Sequence, residues 1–154
     1  MHVEYYWEDL PAGTVFEFGP REVTRDEIIA FARQFDPQWF HIDEAAAKHS
    51  IYGGLIASGW QTCAIMMRMI YDGFLLRAAC LGSPGVDNLR WLKPVRPGDV
   101  LRVRMTIVEA RPSRSKPDRG TVKLNWEVFN QNDDPVMTID GVQIYRRRPY
   151  EAES

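Results

Sequence analysis

The sequence predicts an α+β domain in which a curved antiparallel sheet wraps one long central helix, and three observations predict it. The first is a single apolar run from Leu55 to about Leu81, in which Gln61, Arg68 and Asp72 form only one narrow polar stripe at helical spacing. A helix of that kind has to be surrounded nearly all round. The second is the series of strand-like segments that follows it, which supplies the material to surround it. The third is size: 154 residues, 45% of them hydrophobic, build one sizeable core and fall short of two ordinary domains.

The elements follow in order. After the Pro11-Ala12-Gly13 turn, residues 14–18 alternate as a short strand. Thr24 with Glu27 makes a capping box, and Ile28, Ile29, Phe31 and Ala32 supply the apolar stripe of a helix to about Gln34. Pro37 breaks that helix, and Asp43 is a plausible N-cap for a short alanine-rich helix over Glu44–Lys48. Gly53-Gly54 precedes the long apolar run. Strands are then expected at roughly 84–95, 100–110, 120–130 and 136–146. Leu101, Val103, Met105 and Ile107 alternate with polar residues in the second of these, and Val122, Leu124, Trp126 and Val128 share one face of the third. Pro97-Gly98-Asp99, Arg111 to Gly120 and Asn130 to Pro135 read as the connecting turns and loops.

Composition narrows the class of function. A net charge of −2 argues against a general nucleic-acid binder. No window reaches the roughly 18 to 20 apolar residues of a membrane span, and the acidic start MHVEYYWEDLPAG lacks the order of a signal peptide, so a cytoplasmic location without membrane contact is expected. Cys63 and Cys80 show no metal-ligand spacing, so free thiols are expected and no metal. The halves differ: residues 1–74 carry 5 basic and 11 acidic side chains, residues 75–154 carry 14 and 10. That asymmetry reads either as a solvated strand surface or as a cationic rim for an anionic ligand.

The segment from Phe31 to Asp43 concentrates the most informative polar residues. On a continuous helix Asp36 and His41 would lie about 140° apart and could not cooperate. Pro37 disfavours helix at Asp36, so an ordered turn can bring the two side chains to one cavity. An aspartate and a histidine sharing a water are suited to adding it to an activated double bond, one taking its proton while the other supplies a proton at the neighbouring carbon. The same residues could equally cap the turn and pack against Trp39 or Phe40. Further on, Ser58 is a natural N-cap, and Gly59 lets a ligand approach the backbone at the start of the helix, where an N–H would stabilise a developing oxyanion. A tight turn that needs glycine for close packing is the alternative.

The ordered set FARQFDPQWFHIDEAAA, YGGLIASGW and GVDNLRWLKPVRPGD resembles the MaoC-like dehydratase family, which includes (R)-specific enoyl-CoA hydratases, over roughly residues 10–146 of a single domain spanning 1–154. The resemblance implies a hotdog fold, with Asp36 and His41 as the catalytic dyad and Gly59 matching the oxyanion-hole amide. It implies interconversion of a trans-2-enoyl-CoA and a 3-hydroxyacyl-CoA in fatty acid metabolism, with no cofactor beyond the CoA of the substrate. It also implies a homodimer or dimer-based oligomer with active sites near the subunit interface. Two departures stand out. Ser58-Gly59 replaces the His-Gly of many members, which leaves the backbone N–H in place, and Met67 falls where some hydratases have a serine. Ser58, Trp60, Arg90 and Lys93 are the candidate substrate-binding residues, and Met66, Met67 and Met69 are read as core or acyl-pocket lining. The same fold also accommodates an acyl-CoA thioesterase or a non-catalytic acyl-thioester-binding subunit.

Overall fold

The computed structural model describes residues 2–149, so Met1 and 150–154 at the ends of the expected domain lie outside it. A short 3-10 turn over Trp7–Asp9 leads into β1 (Val15–Glu22), α1 (Arg25–Phe35), α2 (Trp39–Ile42), α3 (Glu44–Ala47) and α4 (Gly59–Gly73). Four strands complete the chain: β2 (Cys80–Trp91), β3 (Val100–Pro112), β4 (Arg119–Phe129) and β5 (Pro135–Arg146). They form one sheet in the order β1-β3-β4-β5-β2, with every neighbouring pair antiparallel. This is the hotdog architecture.

Alternation builds the sheet's inner face. Leu101, Val103, Met105 and Ile107 of β3, Val122, Leu124, Trp126 and Val128 of β4, and Met137, Ile139 and Tyr145 of β5 are all buried. They join Ile65, Met66, Met69 and Ile70 of α4 in one core, each large apolar side chain gaining about 1.5–3 kcal/mol by leaving water. The inward face of β5, hard to read in the sequence, is thus the one carrying Met137, Ile139, Gly141, Gln143 and Tyr145. At Gly141 a side chain would collide with Trp126, since a Cβ would sit 2.3 Å from that ring.

Local signals held where they were local. Thr24 and Glu27 form both halves of the capping box at α1. The Asp43 carboxylate accepts from the Ala46 N–H at the start of α3.

The central helix begins at Gly59 with Ser58 at its N-cap position, as the motif around Ser58-Gly59 indicated, but at Gly73 it ends short of the apolar run that continues to about Leu81. Before it the chain is committed elsewhere: the Ile56 N–H bonds to the Phe40 carbonyl and the Ala57 N–H to the Val95 carbonyl. Nor is the helix surrounded on all sides. Trp60, Met67 and Tyr71 lie on one stripe and are 59%, 40% and 43% exposed, while Gln61 of the expected polar stripe is buried. The first strand after it starts earlier than expected, at Cys80, where it pairs with Tyr145 of β5.

Sheet register also accounts for the charge asymmetry. Glu17 of β1 lies opposite Arg104 of β3 and pairs with it at 3.0 Å, and also reaches Arg102. Glu8 and Asp9 likewise pair with Arg147 and Arg148, and Glu4 with Arg77. Acids of the first half thus pair with bases of the second across the fold.

Candidate active site

Asp36 and His41 meet because the chain stops being helical between them. Asp36 caps the C-terminus of α1, where its N–H bonds to the Ala32 carbonyl. Pro37 and Gln38 then turn the chain, and α2 starts at Trp39, so His41 sits on a separate, short helix. Across that turn the His41 Nε2 lies 3.3 Å from the Asp36 Oδ2. The imidazole is buried, and its Nδ1 is 2.7 Å from the Ile56 carbonyl oxygen. A carbonyl only accepts, so Nδ1 carries a proton and Nε2 is the nitrogen free to exchange one with a reactant.

The Asp36 carboxylate is held from two further sides. Ser58 donates its hydroxyl to Oδ2 at 2.7 Å, and Gln38 donates its side-chain amide to Oδ1 at 2.8 Å. Burial pushes the Asp36 pKa up, but these two hydrogen bonds and the charge of His41 outweigh it and hold the carboxyl below the ordinary aspartate value. Asp36 is therefore an ionised acceptor at neutral pH.

Both residues line a cavity of about 540 Å³ together with Gln38, Phe40, Tyr52, Gly59, Trp60, Trp91 and Lys93. Gly59, the first residue of α4, presents the positive end of that helix to the cavity. Trp91 packs directly on it: the indole Nε1 donates to the Gly59 carbonyl at 3.0 Å, and a Cβ on Gly59 would sit 2.3 Å from the ring. Trp60 stands edge-on to Trp91, with ring centres 5.2 Å apart. A wall of aromatic and aliphatic side chains with a carboxylate, an imidazole and a helix N-terminus converging on it suits an apolar chain bearing one polarised carbonyl.

The candidate substrate-binding residues separate. Trp60 and Lys93 line the cavity, Lys93 being paired with Asp134 at 2.6 Å. Ser58 is fully buried behind it and makes no side-chain cap, its hydroxyl going to Asp36 instead. Arg90 is exposed on β2, bonded to the carbonyl of Leu89, and does not line the cavity. Met67 faces outward, whereas Met66 and Met69 are core. Sequence reasoning missed Gln38, Tyr52, Trp91 and the Ile56 carbonyl. Of these only Gln38, two residues after Asp36, carried a local signal. Among the described residues no group of three or more His, Cys, Asp or Glu is placed to hold a metal ion, and no helix is long and apolar enough to cross a membrane.

A carboxylate and an imidazole facing one another near the N-terminus of a helix packed on a hotdog sheet point to a class of domain. Residues 9–128 match the family described as MaoC like domain, and the chain belongs to that family. It is 33% identical over 127 residues to the uncharacterized protein YdeM of Bacillus subtilis, a match spanning 82% of this chain and 88% of YdeM. It is 30% identical over 156 residues to nodulation protein N of Rhizobium leguminosarum, covering 97% and 96% of the two chains. Among solved structures, a MaoC-like dehydratase from Rhodospirillum rubrum superimposes with a TM-score of 0.88 at 41% identity, over 96% of this chain and all of that one.

Proposed function

We propose that this protein is a hydratase/dehydratase that interconverts a trans-2-enoyl thioester and a 3-hydroxyacyl thioester, with CoA as the thiol. The observation that carries the reading is the approach of Asp36 Oδ2 to His41 Nε2, at 3.3 Å, in the wall of a cavity that also bears Gly59. The dehydratase name of the Rhodospirillum rubrum relative supports it.

In the hydration direction the thioester carbonyl lies at the N-terminus of α4, where the Gly59 N–H stabilises negative charge on its oxygen as the enolate forms. Asp36, held ionised, takes a proton from a water, and the resulting hydroxide adds at C3. His41, protonated at Nε2, delivers its proton to C2. Asp36 then returns its proton to His41 across the short gap between them, which resets the pair and balances the cycle without a cofactor. Dehydration runs the same steps in reverse. Trp60 and Lys93 are proposed to contact the substrate, Lys93 by releasing Asp134 for an anionic group of the thiol carrier.

The working unit proposed is a cytoplasmic enzyme of fatty acid metabolism, and a homodimer, since β2 leaves one edge of the sheet unpaired and Trp60, Met67 and Tyr71 of α4 are exposed. Loss of the conjugated thioester absorbance on adding crotonyl-CoA and longer trans-2-enoyl-CoAs tests the reaction. Asp36→Ala and His41→Ala are each expected to lower kcat by about a hundredfold or more, the contribution of a positioned acid or base. Near-normal turnover in Asp36→Ala sinks the proposal. Release of free CoA from saturated acyl-CoA would point to a thioesterase, and tight binding without turnover to a non-catalytic subunit.

A further inference from the structure

Ser58 occupies the residue just before α4, where a serine ordinarily folds its hydroxyl back onto a backbone N–H of the first turn. Here it does not. The Gln61 and Thr62 N–H groups both bond to the main-chain carbonyl of Ser58, at 3.0 and 3.2 Å, while the hydroxyl reaches 22 residues back to Asp36 Oδ2. Ser58 is wholly buried and lies outside the cavity lining, so it has no access to substrate. The oxygen it holds is the one that faces His41 Nε2. Among the described residues the other carboxylate oxygen is held by Gln38 alone, which is exposed and which a water or substrate can displace.

We propose that Ser58 is a positioning residue for the acid-base pair: its buried hydroxyl pins Asp36 Oδ2 opposite His41 Nε2 while leaving the first amides of α4 uncapped for the ligand. The proposal rests on the hydratase reading for its kinetic consequences and on geometry alone for its effect on Asp36. The rotamer that aims the hydroxyl at the carboxylate makes no bond from its oxygen to an N–H of the first turn of α4, so one side-chain orientation serves both ends of the site. A carboxylate fixed by a short donor from a buried partner loses rotational freedom about its last torsion, which keeps the proton-transfer distance short. Other titratable side chains sharing the cavity with Asp36 are His41 of α2, Tyr52 before α4 and Lys93 after β2, the last held by Asp134.

Ser58→Ala removes the donor and almost no volume. The expected result is a fall in kcat of about ten- to a hundredfold, the equivalent of one charge-assisted hydrogen bond, with KM for the thioester changed by no more than about twofold. The acid limb of the kcat profile moves to higher pH, because a carboxylate that loses a donor binds its proton more readily. Ser58→Thr, which keeps a hydroxyl, returns the limb toward its original position. Independently of turnover, the carbon-13 shift of the Asp36 carboxyl, followed through an acid titration, moves its midpoint upward in Ser58→Ala. That measurement needs no active enzyme, so it decides the role of Ser58 even if no enoyl thioester is hydrated. An Asp36 midpoint and acid limb both unchanged in Ser58→Ala overturn the proposal, as does a loss confined to KM.

Discussion

At the scale of single residues, the site depends on where protons and side-chain volume are allowed. His41 can exchange a proton only through Nε2 because Nδ1 is committed to the Ile56 carbonyl. Gly59 is a glycine for reasons of space. The Trp91 ring lies where its Cβ would be, with ring atoms 2.3 to 2.6 Å from that point. Gly59→Ala must therefore displace Trp91, break the indole bond to the Gly59 carbonyl and move the helix N-terminus away from the ligand. We expect kcat/KM for enoyl-CoA to fall about a hundredfold or more, the scale of a lost oxyanion donor. A red-shift of tryptophan emission should report the displaced ring, and full activity with an unshifted spectrum would contradict the contact. Glycine and serine at 58–59 were legible as candidates in the sequence. Their contacts, with Trp91 and Asp36, span 32 and 22 residues, and neither pairing carried a local mark.

At the scale of elements, whatever is held by neighbours in the chain was readable, and whatever is held by distant partners was not. The α1 capping box is made within four residues, and the structure contains it as read. Thr24→Ala is expected to cost about 1 kcal/mol of stability, measured as a lower urea midpoint with an unchanged slope, while kcat stays within about twofold. The ends of α4 are set otherwise. Leu55 to Ala57 are as apolar as the helix itself, but the Ile56 and Ala57 N–H groups bond to the carbonyls of Phe40 and Val95, so the helix starts at Gly59. Similarly, β2 pairs with β5 through three register shifts, at Cys80/Gly82, Gly82/Gly85 and Asp87/Arg90. Each shift interrupts the alternation that marks a strand, which is why its start lay four residues before the expected one.

At the scale of the whole molecule, the sheet grips α4 from one side and leaves a stripe of Trp60, Met67 and Tyr71 uncovered. The edge strand β2, twelve residues long, also leaves apolar side chains uncovered, with Leu81 and Val86 exposed at 43% and 55%. An unpaired edge carrying exposed apolar side chains is a surface that a second copy can cover by antiparallel pairing about a two-fold axis. Sedimentation equilibrium is expected to return twice the 17.8 kDa chain mass at micromolar concentration. Val86→Asp, which places a charge on that edge, should shift the mass toward the single chain. A wild-type chain that sediments as a monomer at those concentrations would refute the dimer.

Two kinds of interaction separate what was legible in the chain from what was not. Readable from the residues alone were the antiparallel sheet with its inner faces on β3 and β4, the caps of α1 and α3, and the Asp36-Pro37 break that separates Asp36 from His41. All of these follow from alternation, capping and proline geometry within a few residues of chain. Only the tertiary structure decided that Ser58 serves Asp36 instead of its own helix, that Trp91 closes over Gly59, and that acids of the first half neutralise bases of the second. Those contacts join segments 22 to 139 residues apart, and a hydrogen bond or ion pair between such segments exists only once the packing of the core has set their distance and orientation.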